Sequence, residues 1–147
     1  MSDRRLRLAI AALSALGAAV ATYLTVLKLT DATPVCGTGG CAIVEHSKYS
    51  ELLGIPTAAF GIALWTALIA TTLSARESLR TAGAAIALAG AAVAIYLVYL
   101  QLAVIDAVCV WCTANDGLTF VVAALAAARA GTFGAAAPAS SGRPART

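Results

Sequence analysis

Charge is scarce in this chain. Only 12% of its 147 residues are charged, 10 Lys and Arg and 7 Asp and Glu, whereas 61% are hydrophobic. A soluble domain carries about 25% charged residues, which cover its surface. The scarcity of charge therefore argues against a soluble fold and predicts an integral membrane protein.

Two other patterns are missing from the sequence, and each absence excludes a class of protein. Apolar and polar residues do not alternate over segments of about ten positions, as they do in the strands of a membrane barrel. No basic patch is interleaved with aromatic residues, so the sequence gives no reason to expect a nucleic-acid partner. The membrane-spanning segments should therefore be helices.

Four long apolar runs are present instead. Residues 8–27, 52–75 and 81–105 are free of charge, and residues 107–128 are interrupted only by Asp116. A helix needs about 20 apolar residues to cross the hydrocarbon core. We therefore predict spans at about residues 8–29, 54–75, 81–104 and 110–129. Small residues within them, including Gly61, Gly83, Ala87 and Gly90, allow close helix packing.

These runs predict an all-α, integral-membrane four-helix bundle with an extracytoplasmic loop after the first helix. The segment 131–147 contains few large apolar residues and is predicted to be a disordered cytoplasmic tail. The basic residues before the first run resemble the start of a cleavable signal peptide, but that run exceeds the usual apolar core of about 7–15 residues.

The basic residues predict the orientation, because they concentrate on the cytoplasmic side of membrane proteins. With the N-terminus inside, the outer side keeps only Lys28 and Lys48. The other eight of the ten fall inside: Arg4, Arg5, Arg7, Arg76, Arg80, Arg129, Arg143 and Arg146. We expect a multi-pass protein of the bacterial inner membrane with both termini in the cytoplasm.

All four cysteines then fall on the outer side. Cys36 and Cys41 lie in the loop after the first span, and Cys109 and Cys112 lie at the start of the fourth. The second pair has the Cys-x-x-Cys spacing of thiol–disulfide redox motifs, in which a following helix N-terminus stabilises a thiolate. Two structural disulfides or a zinc site with four thiolates remain as alternatives. Covalent haem is excluded, because Thr113 follows the motif where histidine is required.

The order of these features resembles the bacterial form of the vitamin K epoxide reductase family. A loop pair follows the first span, and Cys-x-x-Cys lies at the outer end of the fourth. The stretch from Cys41 to Ser50, followed by Gly54-Ile55-Pro56, is similar to the family's segment after the second loop cysteine. The resemblance covers roughly residues 8–130 and implies a four-helix transmembrane redox domain over residues 1–130.

The resemblance implies electron transfer from protein thiols to a membrane quinone of the menaquinone or ubiquinone type. Cys36 would face a thioredoxin-like partner, Cys41 would exchange with Cys109, and Cys112 would react with the quinone. Some family members carry a fused thioredoxin-like domain. This chain ends soon after the fourth span, so we expect its secreted or periplasmic partner to be a separate protein.

Four further residues are candidate quinone contacts: Ser47, Trp111, Asn115 and Asp116. Each has a simpler alternative: helix capping for the hydroxyl and amide, interfacial anchoring for Trp111, and interaction with the helix dipole for Asp116. As an acid near the hydrocarbon edge, Asp116 is also a candidate proton carrier. Vertebrate family members have a quinone-contacting Asn and Tyr where Ala70 and Asp116 stand here.

That difference puts epoxide reduction in doubt, and we expect a thiol:quinone oxidoreductase. Vitamin K epoxide or quinone reduction as the main activity is one alternative. A non-enzymatic membrane protein, whose cysteines form structural disulfides or bind zinc, is the other.

Overall fold

The structure, a computed structural model, describes residues 2–37, 39–74 and 76–134, and it is mostly helical. The elements are α1 (Asp3–Leu29), α2 (Gly40–Glu45), β1 (Glu51–Leu52), β2 (Ile55–Pro56), α3 (Thr57–Leu73), α4 (Glu77–Tyr99), a π-helical turn (Leu100–Val104) and α5 (Val110–Gly134). The prediction of a helical membrane protein is confirmed.

Within the described residues, three helices are long and apolar enough to cross a membrane: Asp3–Leu29, Glu77–Val104 and Val110–Gly131. The helix in the second predicted span, α3, has 17 residues. At 1.5 Å per residue it is about 26 Å long, which is less than the hydrocarbon thickness of about 30 Å. Helix α3 is therefore shorter than the span predicted at about residues 54–75.

The four long helices pack side by side. Helix α1 contacts α3 and α5, and α4 contacts the same two helices. Trp65 of α3 is fully buried at the centre, and a Cβ atom on Gly17 of α1 would overlap its indole ring. Large apolar side chains such as Leu8, Leu29 and Ile95 are exposed on the outside, as expected of helices that face lipid. Close packing thus depends on small residues, as the sequence predicts.

A short hairpin explains why α3 begins at Thr57. Strands β1 and β2 pair antiparallel, with Leu52 opposite Ile55. Between them, Leu53 and Gly54 have φ angles of 56° and 78°, which a helix cannot contain. The predicted span start at residue 54 therefore lies in a turn.

At the other end of the chain, α5 continues to Gly134, so residues 131–134 of the predicted tail are helical; residues 135–147 lie outside the described residues.

An ionic cluster joins three helices at the end of the molecule opposite the cysteines. The Asp3 carboxylate of α1 accepts hydrogen bonds from Arg80 of α4 at 3.0 Å and from Arg129 of α5 at 2.9 Å. Both arginines are buried. Arg7 donates to the Thr72 carbonyl oxygen at the end of α3 at 3.1 Å, so α3 is held at this end of the molecule as well.

Replacing Asp3 with Asn is expected to lower the free energy of unfolding by about 1–3 kcal/mol, because two hydrogen bonds lose their charged acceptor and two buried guanidinium groups lose a counter-ion. Denaturant titration in detergent, followed by circular dichroism, measures this change. The matched control is Asp31→Asn, an exposed acid in the loop after α1. Equal stability of the two variants would show that the cluster contributes nothing.

Candidate functional site

The loop cysteines form a disulfide. Cys36 and Cys41 are bonded, with their Cα atoms 6.0 Å apart. Gly39, at a φ of 72°, turns the chain into α2, and Cys41 is the second residue of that helix. Cys41 is fully buried, whereas Cys36 lies in the irregular segment before α2. The loop pair therefore has one sulfur embedded in the protein.

The second pair, Cys109 and Cys112, consists of two thiols. Cys109 precedes the first residue of α5 and so occupies its N-cap position, where its sulfur accepts the backbone N–H of Cys112 at 3.2 Å. A hydrogen bond from the Cys112 side chain lowers the pKa of the Cys109 thiol below its usual value, although burial opposes the change. Cys112 itself lies within the first turn of α5, and its backbone N–H is directed to the Cys109 sulfur.

The two pairs lie side by side. A Cβ atom on Gly40, next to Cys41, would overlap the carbonyl oxygen of Val108, next to Cys109. Only glycine permits this approach of the two backbones. Cys41 and Cys109 are both fully buried at this contact between α2 and the start of α5.

Gln101 supports the second pair and was missed from the sequence. It is buried in the π-helical turn after α4, and its side-chain oxygen accepts the backbone N–H of Cys109 at 2.8 Å. A π-helical turn holds one extra residue and often occurs at functional sites. The only sequence signal was an amide side chain within an otherwise apolar run.

A cavity of about 370 Å³ opens beside Cys112. Three of the four candidate contacts, Ser47, Asn115 and Asp116, line it together with Cys112 and Gln101. Most of the remaining lining is apolar. Its outer wall includes Phe60 of α3 and Val93 of α4, which are both exposed on the surface of the helices.

The polar groups of the cavity differ in how they are bonded. The Ser47 hydroxyl donates to the Val44 carbonyl oxygen at 2.7 Å, and the Asn115 side-chain oxygen accepts the Trp65 indole N–H at 3.2 Å. Asp116 is buried, and its Oδ2 atom has no hydrogen-bond partner among the described residues. Since buried polar atoms are nearly always paired, this oxygen is available to a ligand or a proton.

Trp111 is placed differently from the other three candidates. Its indole N–H donates to the Val35 carbonyl oxygen at 2.9 Å, and its ring packs against Tyr23 with the centroids 5.1 Å apart. It thus ties the residue before Cys36 to the Cys-x-x-Cys motif, a contact between the two cysteine segments.

Glu45 is a second residue that sequence reasoning missed. It is 8% exposed at the end of α2 and lines the cavity. Burial raises the pKa of its carboxyl group above the usual value, against the attraction of Lys28. The Lys28 ammonium donates to the Glu45 backbone carbonyl oxygen at 2.7 Å and pairs with the Glu51 carboxylate at 3.4 Å. Glu45 lies in the loop after the first span, and nothing in the sequence indicates that it is buried.

The arrangement combines a disulfide, an adjacent pair of thiols and a largely apolar cavity that one of those thiols lines. Such a site can exchange a disulfide between the pairs and exchange electrons with an apolar molecule in the cavity. In agreement with this chemistry, the family model described as the Vitamin K epoxide reductase family matches residues 8–127, a segment that contains all four cysteines.

Proposed function

Because this chain belongs to the vitamin K epoxide reductase family, whose members are membrane oxidoreductases acting on disulfides and quinones, we propose that it is a thiol:quinone oxidoreductase. It oxidises the thiols of a separate thioredoxin-like protein and passes the electrons through both cysteine pairs to a membrane quinone. The observation that carries this proposal is the contact of Gly40 with Val108, which brings an oxidised pair beside a reduced pair that borders a cavity.

The proposed topology has four spans with both termini in the cytoplasm and the cysteines outside. Helix α3 spans the membrane despite its 17 residues, since it packs between α1 and α4 and Arg7 caps its end. The distribution of Lys and Arg supports this orientation.

The cavity is suited to a quinone. Its volume of about 370 Å³ lies within the usual range of about 300–1,000 Å³ for small-molecule sites. Its lining is largely apolar, which suits a ring with an isoprenoid tail. The Oδ2 atom of Asp116 supplies a buried oxygen that lacks a partner among the described residues. A bound quinone supplies an acceptor for two electrons and two protons.

Each cysteine has one role in the proposed order. Cys36 exchanges with the partner protein, and Cys41, buried at the contact with the second pair, exchanges with Cys109. Cys112 lines the cavity and donates electrons there, while Cys109, whose pKa is lowered, is the thiolate that closes the Cys109–Cys112 disulfide. Ser47 and Asn115 orient the ring, Asp116 holds a proton at its carboxyl group, and Trp111 keeps the two cysteine segments together.

Turnover in lipid tests the proposal. Purified protein in vesicles is mixed with a reduced thioredoxin-like protein and a short-chain quinone, and quinone absorbance is followed. We expect loss of quinone and oxidation of the partner in equal amounts. Protein with alkylated cysteines is the control. Absence of turnover, together with cysteines that resist mild reductant or retain zinc, would support a structural role instead.

A further inference from the structure

A buried carboxyl group lies at the contact between the two cysteine pairs. Glu45 follows Cys41 by four residues in α2, so the two side chains share one face of the helix. Both are buried there, at 8% and 0% exposure. The Glu45 charge also acts on Cys109 and Cys112 from across the contact. One carboxyl group therefore shares a helix face with Cys41 and lines the same cavity as Cys112.

We propose that Glu45 is the proton acceptor for thiol–disulfide exchange between the two pairs. This inference rests on the proposed function and adds a residue to it. Exchange needs a base, because the attacking sulfur must be a thiolate and the loop thiol is buried away from water. An acid that lines the cavity as well as the contact can also return the proton toward Cys112.

Electrons pass from the loop pair to the second pair in two exchange steps. The Cys41 thiol gives its proton to the Glu45 carboxylate, and the resulting thiolate attacks the Cys109 sulfur. The Cys41–Cys109 bond forms, the Cys109–Cys112 bond breaks, and Cys112 leaves with the electron pair and takes up a proton. The Cys36 thiolate, whose proton is released to water, then attacks Cys41. The Cys36–Cys41 bond forms, and Cys109 leaves as a thiolate, so two electrons have moved to the second pair.

The electrostatics of the site fit this role. The charged and titratable groups around Glu45 are Lys28 from α1, Glu51 from β1, its neighbour His46, and Cys109 and Cys112 beside α5. A negative Glu45 opposes a thiolate at Cys109, and a protonated Glu45 does not. Burial raises the pKa of Glu45, which makes its carboxylate a stronger base toward the Cys41 thiol.

The test measures exchange in full-length protein without quinone. Oxidised protein in vesicles is mixed with a reduced thioredoxin-like protein and quenched with acid, and new thiols at Cys109 and Cys112 are labelled with maleimide and quantified by mass spectrometry. We expect Glu45→Gln to slow their appearance by about 100-fold, the lower end for loss of a general base. The control is Glu51→Gln, which removes the same charge from a residue that pairs with Lys28 but does not share the helix face of Cys41. This variant should keep the wild-type rate.

The pH dependence separates a proton acceptor from a structural group. The ratio of the wild-type rate to that of Glu45→Gln should fall toward one at acid pH, where the wild-type carboxyl group is protonated and cannot accept a proton. A ratio that is constant with pH, or equal rates throughout, would overturn the inference. Glu45→Asp keeps the acid, so its exchange rate should still fall toward acid pH. If Glu45→Gln does not fold, an exchange rate of Glu45→Asp that does not change with pH would overturn the inference.

Failure of the inference can be distinguished from failure of the proposed function. If wild-type protein exchanges electrons between the pairs but does not reduce quinone, the proposed function fails while the role of Glu45 is still measured. If quinone is reduced and Glu45→Gln behaves as wild type, only the inference fails.

Discussion

Replacing Cys112 with Ser is expected to abolish quinone reduction with every thiol donor, because Cys112 is the cysteine that lines the cavity. Replacing Cys36 should have a different effect. Cys36→Ser should lose turnover with a thioredoxin-like protein, whose thiol must first exchange with the loop pair. A small dithiol that reaches the second pair directly should still support reduction.

The measurement compares both variants with both donors by quinone absorbance at equal amounts of folded protein. Labelling of the remaining thiols confirms that each variant keeps its other cysteines accessible to exchange. Equal losses for the two variants with the small dithiol would contradict the proposed order, and full activity of Cys112→Ser would remove the electron-transfer scheme altogether.

Asp116→Asn is expected to reduce quinone turnover by about 100-fold, since loss of a general acid or base costs about 10²–10⁴ in rate. The side chain keeps its size but loses the group that holds a proton in the cavity. Disulfide exchange between the pairs should be unaffected, because that reaction takes place at the contact of α2 with the start of α5. The two steps are measured separately, by quinone absorbance and by thiol labelling without quinone.

Asp106→Asn is the matched control. Asp106 is an exposed acid in the loop before Cys109, with a φ of 54° that Asn also tolerates, so the same chemical change is made outside the cavity. Unchanged quinone turnover in Asp116→Asn would exclude a proton-carrying role and leave Asp116 with a structural role within α5.

The helices were largely predictable, because apolar runs long enough for a membrane leave few other folds. Their ends were not. Helix α1 begins at Asp3, five residues before its apolar run, because the charged residues before the run are compatible with a helix and Asp3 bonds to two other helices. An apolar run predicts which residues lie in the hydrocarbon of the membrane. The ends of the helix depend on backbone geometry instead. The turn at Leu53 and Gly54 shows the second effect.

The two cysteine pairs were predictable from their spacing, but the residues that surround them were not. Gln101 is brought to Cys109 by a π-helical turn, which has no sequence signature. Glu45 is buried because the short helix α2 packs against the start of α5, a contact made between residues distant in the chain. Both positions depend on tertiary packing, which overrides the local polarity used in sequence analysis.

The exposed wall formed by Phe60 and Val93 has a kinetic consequence. A molecule that reaches the cavity past these side chains comes from the bilayer, so it diffuses in two dimensions and never crosses water. Its effective concentration is the mole fraction of quinone in the lipid. At a fixed concentration of the thiol donor, diluting the vesicles should therefore leave the rate per protein unchanged, whereas adding quinone-free lipid to the same vesicles should slow it.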